Sequence, residues 1–226
     1  MFQEEQISII ILTLFLGWAF WRIRKELLKL KNNQPPNRIT AAVISYVRWI
    51  HNYILSAMGP KYGPKFSAYF SSVFIYLFIA SISGLVGLNA PTANFSVTLV
   101  FAAITWLAIQ AVKLKENGLK GYFQSLLDPF AFFLIPNIFS ELAPLVSLPL
   151  RIFGNIVAGS VIMSLLYSFT GWVSSFVPII GNINFLGILI APILHLYFDL
   201  FSGFLQAFLF LSLSIIFIGV EIPQTK

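Results

Sequence analysis

Residues 66–112 read FSAYFSSVFIYLFIASISGLVGLNAPTANFSVTLVFAAITWLAIQAV, and they contain no Asp, Glu, Lys, Arg or His. A helix needs about 20 apolar residues to cross the hydrocarbon core of a bilayer, which is about 30 Å thick. The stretch is long enough for two crossings, and Asn89 and Pro91 interrupt it near its middle. It therefore predicts two membrane helices, at residues 66–88 and 93–112, joined by a short outer turn.

The composition of the whole chain agrees with a membrane protein. Hydrophobic residues make up 58% of it and charged residues only 10%, whereas soluble domains carry about 25% charged residues. The formal net charge of +6 comes from residues 22–65 and 113–120, which flank apolar runs, as inner loops do under the positive-inside rule. This distribution argues against nucleic-acid binding.

The side-chain inventory excludes several kinds of chemistry. The chain has no Cys, which rules out disulfides, Cys-ligated zinc and thiol catalysis. Its two histidines are too few for an all-His metal site. No Ser/His/Asp order, P-loop or dinucleotide fingerprint is present, so the sequence predicts no active site.

The first 65 residues predict one membrane helix and a basic segment. Residues 7–21 are apolar, follow Glu4 and Glu5, and precede a basic cluster that begins at Arg22, so the N-terminus is expected outside. The run lacks the basic start and cleavage site of a signal peptide, so it predicts a first membrane helix. The absence of a cleavable presequence favours a bacterial plasma membrane over an organelle. Residues 41–57 carry apolar side chains near helical spacing and predict a helix on the inner membrane surface.

The last third of the chain predicts segments of unusual length. Residues 129–139 are too few to cross a membrane and contain Pro136, so we expect them to dip into the inner leaflet. As helices, residues 141–169 and 185–219 would span about 43 and 52 Å, so they must tilt or bend. The candidate bend sites are Pro144, Pro149 and Pro192.

We therefore expect an all-α integral membrane protein with about five membrane helices and one interfacial or re-entrant segment. Residues 1–65 form the N-terminal helix and its basic inner-surface segment. Residues 66–128 form the two-helix hairpin with a basic inner loop. Residues 129–226 form a core with the re-entrant segment and the two long tilted helices, their connection at 171–184 outside and the C-terminus in the cytoplasm.

Four charged or titratable side chains, tyrosines aside, occur between residues 129 and 220: Glu141, Arg151, His195 and Asp199. A charge near the bilayer centre costs about 2.5–3.5 kcal/mol on insertion scales, and such residues usually serve proton or ion pathways. This cost makes all four of them functional candidates.

Three of these four residues belong to two polar stripes, each made of residues at helical spacing. The first comprises Ser147, Arg151 and Asn155, and the second comprises His195, Asp199, Ser202 and Gln206. Because the two helices run in opposite directions, polar groups approach Arg151 from the outer side along the last helix. Glu141 lies about 15 Å toward the inner side. The pattern predicts two half-pathways that a fixed cation separates.

Each of these residues also allows a purely structural role. Arg151 could pair with Asp199, and Glu141 could be a helix-start carboxylate, which the helix dipole favours. His195 could be a hydrogen-bonded structural histidine. Asn155 and Gln206 could simply join helices.

The motifs around these residues resemble one family, subunit a of the F-type ATP synthase membrane sector. SLPLRIFGNIVAG at 147–159 resembles its arginine-helix signature, and GFLQAF at 203–208 resembles its last-helix signature. ELAPLVSL at 141–148 resembles its inner-channel stretch, and PTANFSVT at 91–98 resembles the start of an earlier membrane helix. The resemblance covers roughly residues 60–220.

The resemblance implies a non-catalytic stator subunit without a cofactor of its own. Its partners would be the c-ring subunits, the peripheral-stalk b subunits, the rest of the F1Fo complex and membrane lipid. A proton would reach a carboxylate on the ring through one half-channel and leave through the other. Arg151 would attract each deprotonated carboxylate and block leakage, since an arginine stays charged at any usable pH.

The resemblance also assigns the half-channels, with some departures from the family pattern. Glu141 and Ser147 would belong to the inner half-channel, while Asn155 and Gln206 would belong to the outer one. Many relatives carry an acidic residue or histidine at Ser160, histidine or glutamate at Asp199, and an acidic residue at Asn94. We therefore expect Asp199 to supply the outer carboxylate, Ser160 a hydroxyl, and His195 an extension of that channel. Asn94 and Ser202 are further lining candidates.

Two other functions stay open from the sequence. A self-contained transporter or channel would need a central binding pocket, and the chain shows neither continuous polar stripes nor an inverted repeat. A structural scaffold would leave the cost of Arg151, Asp199 and Glu141 unexplained.

Overall fold

A computed structural model describes residues 4–29, 36–176 and 184–223 of the chain. Those residues form helices and no strands, so the predicted all-α fold is confirmed. The α-helices are α1 (Glu4–Lys29), α2 (Arg38–Ile82), α3 (Phe95–Leu127), α4 (Leu134–Ser174), α5 (Phe185–His195) and α6 (Gly203–Val220). Short 3₁₀ turns lie at Ser83–Val86, Pro91–Ala93 and Ala131–Phe133, and a π-helical turn at Leu196–Ser202 joins α5 to α6.

Five helical segments in the described part of the chain are long and apolar enough to cross a membrane. This number confirms the five predicted membrane helices. The segments are Gln6–Leu28, Arg38–Val86, Phe95–Leu127, Leu134–Ser174 and Phe185–Val220.

Helix α2 is a hairpin of two arms, at residues 38–58 and 60–82, that meet at Gly59. Gly59 has φ 67° and ψ 179°, a left-handed conformation that glycine adopts without steric cost. The Tyr46 hydroxyl donates to the Ser71 carbonyl at 2.8 Å, and His51 Nδ1 lies 2.7 Å from the Ser67 hydroxyl. Both pairs are centred near Gly59 in sequence, so the two arms run antiparallel.

The first arm of α2 corresponds to the predicted surface helix at 41–57, but its surroundings differ from the prediction. Ile50 and Ile54 are fully buried in the main core. The Tyr53 hydroxyl donates to the Ser212 hydroxyl of α6 at 3.1 Å. This arm therefore packs against both the second arm and α6, because its apolar face meets protein.

A second glycine break lies in α3, which extends beyond the predicted end at residue 112. Gly118 has φ 67° and ψ 173°. The Lys113 amine lies 5.3 Å from the centre of the Tyr122 ring across this break. The last turns of α3 therefore fold back toward the membrane part of the helix.

The segment at 129–139, which is predicted to dip into the inner leaflet, is continuous with the helix that follows it. A 3₁₀ turn at Ala131–Phe133 leads directly into α4, which begins at Leu134. Pro136 lies in the first turn of α4, where the missing N–H has no partner to lose. The amide of Asn137 donates to the carbonyl oxygens of Leu126 and Asp128, both at 2.9 Å, and ties this turn to the end of α3.

The two long helices exceed their predicted lengths. Helix α4 has 41 residues and measures about 62 Å at 1.5 Å per residue. Helix α4 continues through Pro144 and Pro149, and α5 continues through Pro192. Half of the predicted outer loop at 171–184, namely residues 177–183, lies outside the described residues.

Small residues allow α6 to lie directly against both arms of α2. A Cβ on Gly203 would lie 2.6 Å from Ser81 Cβ, and a Cβ on Gly219 would lie 3.0 Å from the Ala57 carbonyl oxygen. Helix association in lipid depends on such close packing, because lipid tails are as apolar as leucine. Gly203, which lies between Ser202 and Gln206 of the predicted second stripe, therefore sets the distance between α6 and α2.

We predict that Gly203→Ala lowers the stability of the protein by roughly 1–3 kcal/mol, the usual cost of overpacking a filled contact. Thermal unfolding in detergent, followed by circular dichroism, measures this change. Gly17→Ala is the control, because nothing lies within 4 Å of a Cβ at Gly17. Equal melting temperatures for the two variants would contradict the close contact.

Candidate functional site

A cavity of about 770 Å³ lies between α4, the π-helical turn and the connection from α2 to α3. Four of the residues predicted for the outer half-channel line it: Asn155, Ser160, His195 and Asp199. Further polar residues line it that the sequence reasoning missed: Asn89, Ser164, Tyr167 and Ser168. Ser160, Ser164 and Ser168 recur at a spacing of four, and this pattern could have revealed a polar face on the second half of α4.

Three side chains form a hydrogen-bonded chain at this cavity. His195 Nδ1 lies 2.8 Å from Asp199 Oδ2, and His195 Nε2 lies 3.1 Å from the Tyr167 hydroxyl. An ionised carboxylate can only accept hydrogen bonds, so Nδ1 carries the proton toward Asp199. In a neutral ring, Nε2 then accepts from Tyr167. His195 thus links a hydroxyl to the carboxylate within one cavity.

Asp199 lies in the π-helical turn Leu196–Ser202, where the sequence analysis expected an unbroken α-helix. π-helical turns are rare and frequently occur at functional sites. The π-helical turn changes the register between α5 and α6, so the residues of the predicted second stripe do not share one face. His195 and Asp199 face the cavity, whereas the Ser202 hydroxyl donates to Asn155 Oδ1 at 2.6 Å.

The antiparallel register of α4 and the last helix brings Gln206 level with Arg151. Ser202 contacts Asn155. Gln206 lies four residues after Ser202, and Arg151 lies four residues before Asn155, so in an antiparallel pair the two lie at the same level. The Gln206 side-chain oxygen is buried and has no hydrogen-bond partner in the part of the chain that the structure describes. It is therefore an unused acceptor beside the arginine position.

Arg151 has an exposed side chain. Within residues 4–29, 36–176 and 184–223 it forms no ion pair. The alternative of a structural Arg151–Asp199 pair is therefore wrong, because Asp199 pairs with His195. Ser147, one turn earlier, is exposed on the same helix.

Glu141 belongs to a second polar cluster, which lies away from the cavity. Its carboxylate forms an ion pair with Lys113 and accepts a hydrogen bond from the Gln110 amide at 2.9 Å. Glu221, just after α6, lies 3.9 Å from the Lys113 amine. Because α4 begins at Leu134, Glu141 lies two turns inside it, and the helix-start explanation is wrong.

Sequence reasoning missed Gln110, Lys113 and Glu221, which come from segments far from Glu141 in the chain. Lys113 was expected in a basic inner loop, yet it is only 5% exposed. Its position directly after the uncharged stretch at 66–112 was the available signal. Gln110, three residues earlier, lies on the same face of α3.

The remaining predicted residues have local roles in this structure. Asn94 caps α3, since its side-chain oxygen accepts from the Ser96 amide at 2.9 Å. Ser160 donates to the Val157 carbonyl at 2.8 Å. Asn94, Ser202 and Gln206 are not among the residues that line the cavity. Among the described residues, no group of three or more His, Asp or Glu could hold a metal ion.

Comparison with known proteins identifies the family. The family model described as ATP synthase A chain matches residues 6–219. The chain belongs to the ATP synthase A chain family. This finding confirms the resemblance seen in SLPLRIFGNIVAG and GFLQAF, and together with the five apolar helices it makes the chain a multi-pass membrane protein.

Individual relatives match over different lengths. ATP synthase subunit a of Streptococcus agalactiae is 28% identical over 224 residues, 95% of this chain and 88% of the relative. That of Bacillus subtilis is 29% identical over 187 residues, 79% of this chain and 77% of the relative. A sodium-ion-specific subunit a of Propionigenium modestum is 32% identical over 139 residues, which are 62% of this chain but only 43% of the relative.

We predict that the cavity contains water, which single cysteines can test because the natural chain has none. Ser164→Cys should react with a membrane-impermeant thiol reagent, since a thiol becomes reactive as a thiolate in polar surroundings. Val161→Cys, which is 52% exposed but outside the cavity, should react at least roughly tenfold more slowly in apolar surroundings. Equal labelling rates at 161 and 164 in membranes would contradict a water-filled cavity.

Proposed function

We propose that this chain is the ion-translocating subunit a of an F-type ATP synthase and couples proton flow to the rotation of a ring of c subunits. Membership in the ATP synthase A chain family supports placing the chain in an ATP synthase complex. The observation that carries the mechanism is the exposed Arg151, which forms no ion pair in the described part of the chain and lies between two polar regions. One region is the cavity at Asp199, and the other is the cluster around Glu141.

Arg151 is exposed and has no acidic partner among the residues that the structure describes. A charge at such depth costs about 2.5–3.5 kcal/mol on insertion scales, so an external anion would offset a large part of that cost. A carboxylate on a neighbouring ring subunit is an anion of the right kind. The guanidinium cannot be deprotonated in proteins, so it attracts the carboxylate without passing protons from one region to the other.

The outer half-channel in this proposal is the cavity at Asp199. Tyr167, His195 and Asp199 form a chain of donors and acceptors at its wall. Asp199 accepts a proton from the outer side and delivers it toward the ring. The Ser202–Asn155 hydrogen bond lies between Asp199 and the level of Arg151, so it is the last polar contact on this route.

The inner half-channel in this proposal runs past Glu141 and Ser147. Glu141 lies ten residues before Arg151 on α4, about 15 Å away along the helix axis. Ser147 lies between them on an exposed turn. A proton that leaves the ring would pass Ser147 and reach Glu141 before the inner surface.

The proposal includes the orientation and partners of the chain. Basic residues in 22–65 and 113–120 support placing these segments on the inner side, with the N-terminus outside and the C-terminus in the cytoplasm of a bacterial plasma membrane. Peripheral-stalk b subunits would hold the chain still against the ring. ATP chemistry would belong to the other subunits of the complex.

We predict that Arg151→Ala abolishes ATP-driven proton pumping, because nothing then attracts the ring carboxylate or separates the two routes. Quenching of a pH-sensitive dye in inverted membrane vesicles measures pumping, and co-purification with the c subunits measures assembly. Arg48→Ala, which removes an exposed arginine on α2, should leave both unchanged.

Normal pumping in assembled Arg151→Ala complexes would overturn the proposal. Proton or solute transport by the purified chain alone in liposomes would instead support a self-contained transporter.

We predict that Asp199→Asn lowers the pumping rate by roughly 10²-fold, since a positioned acid–base group typically contributes 10²–10⁴-fold to proton transfer. His195→Ala should lower it less, because Asp199 keeps its place in the water-filled cavity. Ser72→Ala, an exposed hydroxyl on α2, is the control. If Asp199→Asn pumps at the rate of the control, the carboxylate is not on the route.

A further inference from the structure

Lys113 is a buried ammonium that the proposed mechanism does not yet use. Its side chain is 7% exposed and lies on α3 within the main body of helices. A buried charge that loses its partner is strongly destabilising. The carboxylates around Lys113 therefore determine whether its position is tolerable.

Two carboxylates from different elements surround this one cation. Glu141 of α4 forms the close ion pair, and Glu221 follows at 3.9 Å from the end of α6. The side chains of these glutamates are 17% and 22% exposed. The Tyr122 ring covers the amine from the far side of the Gly118 break. The cluster thus has one carboxylate more than the lysine can neutralise.

Both carboxylate oxygens of Glu141 are engaged in this cluster. Oε1 contacts Lys113, and Oε2 accepts from the Gln110 amide. A neighbouring group is separate from it: Lys61 of α2 lies 2.6 Å from Glu116 of α3, and the Tyr62 hydroxyl donates to the same carboxylate. The charged groups that face Glu141 in the described residues are therefore Lys113 directly and Glu221 through it.

Protonation of Glu141 would remove the charge that holds Lys113. The ammonium would then be buried without a partner, unless it can turn to another carboxylate. Glu221 is such a partner at a distance that a small side-chain movement can close. The presence of Glu221 therefore lowers the energetic cost of putting a proton on Glu141.

We propose that Lys113 is a positioning residue that transfers its ion pair from Glu141 to Glu221 whenever Glu141 takes up a proton. The transfer sets the pH at which the inner half-channel accepts protons from the cytoplasmic side. This inference rests on the proposed function of Glu141 as an inner half-channel residue.

Removal of each partner has an opposite electrostatic effect. Without Glu221, protonation of Glu141 leaves Lys113 unpaired, so Glu141 accepts a proton only at lower pH. Without Lys113, Glu141 loses its counter-cation, so it accepts a proton at higher pH. A role in helix packing alone would give no such difference in sign.

The test uses intact complexes in inverted vesicles, where the cytoplasmic side faces the medium, and measures ATP-driven pumping against medium pH. Glu221→Gln should move the midpoint of the high-pH decline down by about one pH unit, and Lys113→Met should move it up by about one pH unit, the size of a typical single-charge effect. The double variant should behave like Lys113→Met, because Glu221 acts only through the lysine. Lys61→Met breaks an ion pair whose lysine is 60% exposed and should leave the midpoint unchanged.

Two results would overturn the inference: equal loss of pumping at every pH in both variants, or midpoints that do not move. If Glu221→Gln does not assemble, Glu221→Asp is measured instead, because it keeps the charge. We expect it to lower the midpoint of the pH dependence by less than Glu221→Gln. An unchanged midpoint would count against the inference. Arg151→Ala is measured in the same vesicles. Pumping by that variant would reject the proposed function, whereas wild-type midpoints with an inactive Arg151→Ala would reject only the role of Lys113.

Discussion

The cost of a charge in apolar surroundings governs how this chain places its few ionisable side chains. Lys113 has Glu141 and Glu221, and Asp199 has His195. Arg151 alone among these is left unpaired on an exposed helix face within the described residues. Under the proposed function, the partner of Arg151 comes from outside the chain, whereas the fold supplies partners for the others. This constraint connects the packing of single helices to an assembly with another subunit.

The helices could be predicted because apolar runs must cross the membrane as helices that satisfy their own backbone. The hairpins at Gly59 and Gly118 could not, since a glycine in a sequence does not reveal its backbone angles. The helix break predicted at Pro136 is absent for a similar reason. A proline ends a helix in its interior but is tolerated in the first turn, and only the structure shows that α4 begins at Leu134.

The site was predictable where its residues share one helix. His195 and Asp199 are four apart and hydrogen-bond as that spacing suggests, and Asn155 and Ser202 belong to the two predicted stripes. Tyr167, Gln110, Lys113 and Glu221 were missed because their contacts join distant segments. Lys113 was also assigned to an inner loop, because a lysine after an apolar run usually lies in one.

The register between α4 and the last helix connects the two halves of the site. The hydrogen bond from Ser202 to Asn155 marks this register just beyond the π-helical turn. If the helices slid by two turns, Gln206 would leave the level of Arg151, and Asp199, seven residues before Gln206, would take its place. Their opposite charges would then pair, and Arg151 would no longer be free to attract an external carboxylate. Under the proposed function, the π-helical turn therefore keeps the acidic group at the cavity and the cation at the subunit surface.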